Sequence, residues 1–292
     1  DVLNEQDQGL FLIIHHIANG KIDQSQLTAS QQYLFHKLQH DLFNTVKILI
    51  YQMSISDFSI IDHEQWVEKN SGEFLLHGRI DRVEQYQEYV KVVDYKSSQK
   101  ALDLCLATLG FNIQMLLYLD MVCQDKALEK GGVLYFNTKQ RVVKMDEYLY
   151  EDGLDFEEIV KLYKMEGYIN SEETLIKAMD RHYDPSVIAN VKFVKSKGTY
   201  TGNLLDRESF DRLLEKVNQH VDTLLDRIYH QGDIRIFPSH HDSPKINMLV
   251  NPCTYCDYAN VCLKDVFYNE NNEIEYMDPK AMLKILGGEE HD

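Results

Sequence analysis

Apolar and polar residues alternate along this chain with two different periods, and the change from one to the other outlines its organisation. From about Asn4 to Ala18, Leu10, Ile13, Ile14 and Ile17 fall at helical spacing, and Gly20 is placed to stop the helix. A longer helix is predicted from about Ala29 to Gln52. Its stripe of Leu34, Phe35, Leu38, Leu42, Phe43, Val46, Leu49 and Ile50 reads as core, with Thr28 or Ser30 as the cap. The pattern then shifts to strands: Phe58 to Val67, Phe74 to Val83 and Tyr89 to Tyr95, the last two joined by a polar hairpin turn at Gln85-Tyr86-Gln87-Glu88. The antiparallel pairing expected of that hairpin sets Asp81 opposite the Asp94 end of its neighbour.

An irregular link leads to a helix over Phe111 to Gln124 and a strand at Gly132 to Phe136, a strand–helix–strand unit of the kind that makes two strands parallel. Beyond Arg141 the periodicity predicts helices over Leu154 to Lys164 and Ser171 to Met179, and an exposed loop or hairpin at Val191 to Asn203. A long amphipathic helix follows from Asp206 to His230, carried by Phe210, Leu213, Leu214, Val217, Val221, Leu224, Leu225 and Ile228. Pro238 to Pro252 reads as a connector, and a short helix spans Pro279 to Ile285. This makes an α/β fold with a central mixed sheet flanked by helices. Its expected parts are N-terminal helices (1–56), a catalytic core (57–140), a helical extension of the same domain (141–237) and a cysteine-bearing C-terminal segment (238–292).

Composition adds exclusions. With 292 residues, 44% hydrophobic and 26% charged, the chain can bury a large core. No apolar run approaches the ~20 residues of a membrane span, so no membrane role is expected. The formal charge of −17 argues against a free-standing DNA binder, because phosphate contacts come from clustered basic side chains. Five cysteines in a chain of this size do not suggest a disulfide framework, and a reducing, cytoplasmic setting is expected. No G-x-x-x-x-G-K-[ST] pattern is present, so ATP chemistry belongs elsewhere. The opening Asp-Val-Leu-Asn has neither an initiator Met nor a signal-peptide pattern and reads as the start of a fragment.

Candidate chemistry concentrates between Gly78 and Tyr118. Gly78-Arg79-Ile80-Asp81-Arg82 closes one strand, Val92-Val93-Asp94-Tyr95-Lys96-Ser97-Ser98 closes the next, and Gly110-x-x-x-Gln114-x-x-x-Tyr118 lies on the following helix. Phosphodiester cleavage needs a polarised phosphoryl oxygen, an activated water and compensation of leaving-group charge, all of which Mg²⁺ held by carboxylates can supply. Asp81 and Asp94 are the natural ligands, with the Tyr95 carbonyl as a further hard oxygen. Asp94 and Lys96 are two apart in a strand and share a face, so the ammonium can hold water or phosphate there. Gln114 and Tyr118, one helical turn apart, are suited to orienting water or phosphate. Adjacent His15 and His16 point about 100° apart on their helix and are read as packing or surface residues, with a ligand role as the alternative.

These residues resemble the RecB-like PD-(D/E)xK nucleases. The resemblance assigns the metal-binding acids to Asp81 and Asp94, the catalytic lysine to Lys96, and the helix glutamine and tyrosine to Gln114 and Tyr118. Glu64 stands where relatives often carry an acid, with a surface role equally open. Cys253-x₂-Cys256-x₅-Cys262 is a soft, closely spaced ligand set that asks for a fourth partner around zinc or an iron–sulfur cluster. It matches the C-terminal cysteines of nucleases in this family that carry a [4Fe-4S] cluster. The combination most resembles the nuclease domain of the AddB (RexB) family. That implies Mg²⁺-dependent exonuclease action on DNA in double-strand break resection, a heterodimer with an AddA-type helicase–nuclease subunit, and a fourth cysteine and a metal-binding histidine upstream. Neither of the last two is found at a matching position before Asp81, and the sequence is expected to begin after both. Cys105 and Cys123 read as core residues. The alternatives are a non-catalytic DNA-binding or scaffolding domain of the same fold, and a Cas4-like stand-alone exonuclease.

Overall fold

A computed structural model describes residues 5–138, 156–181, 185–233, 235, 238–262 and 271–288. The chain opens with helix α1 (Glu5–Lys21), one turn of 3₁₀ helix (Gln24–Gln26) and helix α2 (Ala29–Ile55). Gly20 does not end α1, which runs on to Lys21. Thr28, rather than Ser30, caps α2 in a reciprocal capping box with Gln31. Strands β1 (Ser59–Ser71), β2 (Phe74–Tyr86) and β3 (Tyr89–Lys96) follow. Between β2 and β3 the turn is only Gln87-Glu88, and Gln87 takes the left-handed φ of 51° that a tight hairpin demands.

After β3 come α3 (Leu104–Thr108), α4 (Gln114–Lys126), β4 (Glu129–Asn137), α5 (Phe156–Leu162), β5 (Glu166–Asn170) and α6 (Glu173–Met179). The hairpin expected near Val191 is β6 (Val191–Val194) with β7 (Thr199–Gly202), and β8 (Leu204–Leu205) follows. Helix α7 (Arg207–Leu225), capped by Asp206, passes into a π-helical turn at Asp226–His230. The connector around residue 245 carries β9 (Ser239–His240) and α8 (Pro244–Val250). A 3₁₀ turn (Pro252–Tyr255), α9 (Ala259–Cys262), β10 (Asn272–Glu273) and α10 (Pro279–Leu286) complete the described chain. The start of the helix predicted at Leu154 lies outside the described residues.

The main sheet is mixed and has six strands in the order β1-β2-β3-β4-β5-β8. Chain contacts divide the protein into two units, one of residues 1–65, 79–101 and 131–204, the other of residues 66–78, 102–130 and 205–292. Strands β1 and β2 each run from one unit into the other. In the first unit Ile48, Phe58, Val93, Leu134, Phe136, Tyr163, Ile169, Leu175 and Ile188 belong to one buried cluster. Each such aliphatic or aromatic side chain contributes roughly 1.5–3 kcal/mol by leaving water. In the second unit the stripe Phe210, Leu213, Leu214, Val217 and Val221 on α7 is buried as its periodicity predicts, and α7 packs with α3, α4 and α10.

Two expectations change. The stripe on α2 is not all core: Leu34, Leu38, Leu42 and Ile50 are exposed, whereas Phe35, Gln39, Phe43, Ile48, Gln52 and Ile55 are buried. The buried glutamines use their amide nitrogens; Gln52 Nε2 donates to the carbonyls of Tyr163 and Val187 at 3.3 and 3.2 Å. Strand β5 has no counterpart among the predicted elements, because its short Glu-Gly-Tyr-Ile-Asn run offers little alternation to read. Its Gly167 has φ +148°, and a Cβ there would lie 2.0 Å from the Val133 carbonyl oxygen. Gly167→Ala therefore should lower stability by ~1–3 kcal/mol, since both conformation and space exclude a side chain. An unchanged denaturant midpoint would contradict this register of β4 against β5.

Candidate metal and phosphodiesterase site

The β2–β3 ladder pairs Arg82 with Val93 and Glu84 with Lys91. Carried one residue further, the register stands Asp81 beside Asp94, and strand alternation puts Lys96 on the same face. Asp94 is buried at 5% exposure, and its Oδ2 lies 2.6 Å from Lys96 Nζ. That oxygen receives no well-aligned hydrogen bond among the described residues, so the lysine contact is one of charge more than of direction. The amide N–H of Tyr95 donates to Asp81 Oδ2 at 2.9 Å, tying the two strand ends together through the acid itself. Burial pushes the Asp94 carboxyl above its usual range, the Asp81 charge adds to that, and Lys96 partly offsets it.

The loop after β3 is held by the end of β4. Thr138 donates from its N–H and its Oγ1 to the Lys96 carbonyl at 2.8 and 3.2 Å. Asn137 accepts from the Lys100 N–H at 2.9 Å and donates to the Lys100 carbonyl at 3.2 Å. Lys100 thus joins Lys96 in the field of Asp94, and its ammonium is held below its usual range by burial and by Lys96. Sequence reading passes over Lys100 and Asn137. The Lys-x-x-x-Lys spacing offers a signal for the first, but nothing local marks an asparagine almost forty residues away.

In the other unit, Gln114 opens α4 and donates to Tyr118 Oη at 2.9 Å, one turn on. Tyr118 is buried over Gly78, where a Cβ would come within 2.3 Å of the ring. Glu64 is exposed and paired with Arg79 at 2.6 Å. His15 contacts Gln39 and stacks on Phe11. Cys105 and Cys123 are buried, as expected of core residues; Cys253 and Cys256 are exposed and Cys262 half-buried. Cys253 lies on the 3₁₀ turn, Cys256 directly after it and Cys262 at the end of α9, and the three do not draw into a ligand group. Among the described residues, the group of three or more His, Cys, Asp or Glu side chains whose ligand atoms all lie within 4.8 Å of one another is His240, Asp242 and Glu273.

The sequence pattern of the PD-(D/E)XK nuclease superfamily matches residues 11–263. The chain belongs to that superfamily. As a PD-(D/E)XK member it is similar to proteins of the AddB type, named as subunits of an ATP-dependent helicase/deoxyribonuclease. It is 32% identical to that of Clostridium acetobutylicum, over 82% of this chain and 22% of the relative. For Oceanobacillus iheyensis the identity is 30%, over 85% and 23%, and for Clostridium novyi 29%, over 87% and 24%. The chain therefore spans less than a quarter of each of these relatives. No described helix is long and apolar enough to cross a membrane.

The donor set suits a hard divalent cation: two carboxylates on adjacent strand ends, one buried with an oxygen short of directed partners, and a main-chain carbonyl between. It also makes a stability prediction. Because the folded state raises the Asp94 pKa, its contribution is favourable below about pH 3.8 and is lost as pH rises through the raised value, so the ionised group is a burden at neutral pH. In chelator at pH 7, Asp94→Asn should unfold at the same or a higher temperature than the parent, with the difference shrinking toward pH 4. Lys96 is 30% exposed and can turn to water. A melting point several degrees lower would show the carboxylate to be structural.

Proposed function

We propose that this chain is a Mg²⁺-dependent deoxyribonuclease domain acting within a larger helicase–nuclease, in the cytoplasm, on DNA ends undergoing recombinational repair. The observation that carries the reading is the β2–β3 register, with Asp81, Asp94 and Lys96 on one face and Asp94 buried. Asp81, Asp94 and the Tyr95 carbonyl would hold the cation. When bound, Mg²⁺ supplies positive charge to offset that of the phosphodiester and favours attack by water. Lys96 donates from its ammonium to the scissile phosphate or the attacking water. The water oxygen bonds to phosphorus, the bond to the sugar oxygen breaks, and that oxygen takes a proton, leaving a phosphomonoester and a hydroxyl. For Gln114 and Tyr118 the support is the Gly-x-x-x-Gln-x-x-x-Tyr motif and their mutual hydrogen bond, which suits a positioning role.

A net charge of −17 is poorly suited to gathering DNA unaided. That favours delivery of single strands by an AddA-type helicase–nuclease partner in a heterodimer, as the names of the relatives suggest. Cys253, Cys256 and Cys262 are free thiols of the soft type that a [4Fe-4S] cluster uses, and would supply three of its four ligands. The fourth would lie in another part of the intact subunit.

On single-stranded DNA with Mg²⁺, Asp94→Ala and Lys96→Ala should each reduce cleavage by about 10²-fold or more. Cleavage undiminished in both variants would sink the assignment. For the cysteines, the intact subunit prepared anaerobically should be brown with broad visible absorption, and Cys256→Ser should bleach it. Colourless protein carrying zinc would reject the cluster.

A further inference from the structure

The face of the β2–β3 ladder opposite the acids carries three charged side chains that the proposed chemistry does not use. Arg82, Glu84 and Lys91 are 2, 3 and 1% exposed. Glu84 bridges the two cations, Oε1 at 2.8 Å from Arg82 Nε and Oε2 at 2.9 Å from Lys91 Nζ. Lys91 also lies over the Phe58 ring, 4.7 Å from its centre. The group carries one positive charge more than negative, in surroundings of Leu49, Met53, Met165 and Ile188 with Gln52 and Ser56 beside them. Such a trio is a poor way to stabilise a core, because desolvating three ions offsets most of their attraction and an apolar trio fills similar space at lower cost. Burial accordingly pushes the Lys91 ammonium below its usual range, with Glu84 opposing.

The trio does have an outlet toward the acids. Arg82 donates from an η nitrogen to Tyr95 Oη at 2.8 Å, and its guanidinium lies 5.4 Å from the centre of the Tyr95 ring. Tyr95 is the residue between Asp94 and Lys96, and its own N–H holds Asp81 Oδ2. A continuous series therefore runs from Lys91 through Glu84 and Arg82 to the Tyr95 side chain, then through the Tyr95 main chain to Asp81. Arg82 also follows Asp81 directly in β2, so it grips both strand ends from behind.

We propose that Arg82, braced by Glu84 and Lys91, is a positioning residue for the metal site: by anchoring the Tyr95 ring on one face of the ladder it fixes the Tyr95 amide and carbonyl, and with them Asp81, on the other. This rests on the reading of Asp81 and Asp94 as metal ligands. An interaction one step behind the ligands tunes affinity without touching the cation.

The test is Mn²⁺ binding to the full chain, followed by calorimetry and by the electron paramagnetic resonance of free Mn²⁺, beside thermal melts in chelator. Arg82→Met leaves Glu84 and Lys91 as a neutral pair, so its melting point should stay within a few degrees of the parent or rise. Its Mn²⁺ dissociation constant should nevertheless increase roughly tenfold, and the metal concentration giving half-maximal cleavage should move by the same factor. Tyr95→Phe removes only the hydroxyl and should shift both in the same direction by less; it carries the test if Arg82→Met does not fold. Asp94→Asn separates the two layers of the inference. If Asp94→Asn loses Mn²⁺ while Arg82→Met and Tyr95→Phe bind it as the parent does, the positioning role is wrong and the metal site stands. If Asp94→Asn binds Mn²⁺ normally, the metal site itself is wrong and the positioning role falls with it.

Discussion

The register of β2 against β3 is the constraint on which the rest of this site depends. A side chain's face in a strand is set by parity, so the pairing of Arg82 with Val93 puts Asp81, Asp94 and Lys96 on one face and Arg82, Glu84, Lys91 and Tyr95 on the other. A slip of one residue would exchange the two sets. The tight Gln87-Glu88 turn resists that slip at one end. The Tyr95 amide bond to Asp81 resists it at the other.

Around that ladder, the fold brings distant chain to the β3 end. Asn137 at the end of β4 and Thr138 after it together hold the main chain of Lys96 and Lys100, so the loop bearing both lysines is fixed by hydrogen bonds from distant chain to its backbone rather than by its own sequence. The burial of Asp94 and the nearness of two cations act against each other on its charge, leaving a carboxyl disfavoured as an anion yet surrounded by positive groups. That is a suitable state for a ligand whose full stabilisation comes from a cation.

The helices show where pattern alone misleads. On α7, hydrophobic spacing and burial agree because one face meets α3, α4 and α10 and the other is strongly polar. On α2 the apolar residues extend over more than one face, so spacing cannot say which is covered. The covered face is the one carrying Gln39 and Gln52, whose side-chain nitrogens meet His15 and the carbonyls of Tyr163 and Val187 on other parts of the chain.

By itself the sequence determined the hairpin, the acids and lysine at its ends, the Gln114–Tyr118 pair and the cysteine spacing, since each depends on neighbours a few residues apart or on strand parity. Tertiary structure decided what lies between distant segments: strand β5 and its glycine, the hold of Asn137 on Lys100, and the exposed stripe of α2. It alone set Glu84 between Arg82 and Lys91 in the interior. Charged residues in a strand look alike to the sequence whether they face water or core, and only the packing of α2, Met165 and Ile188 over that face removes the water.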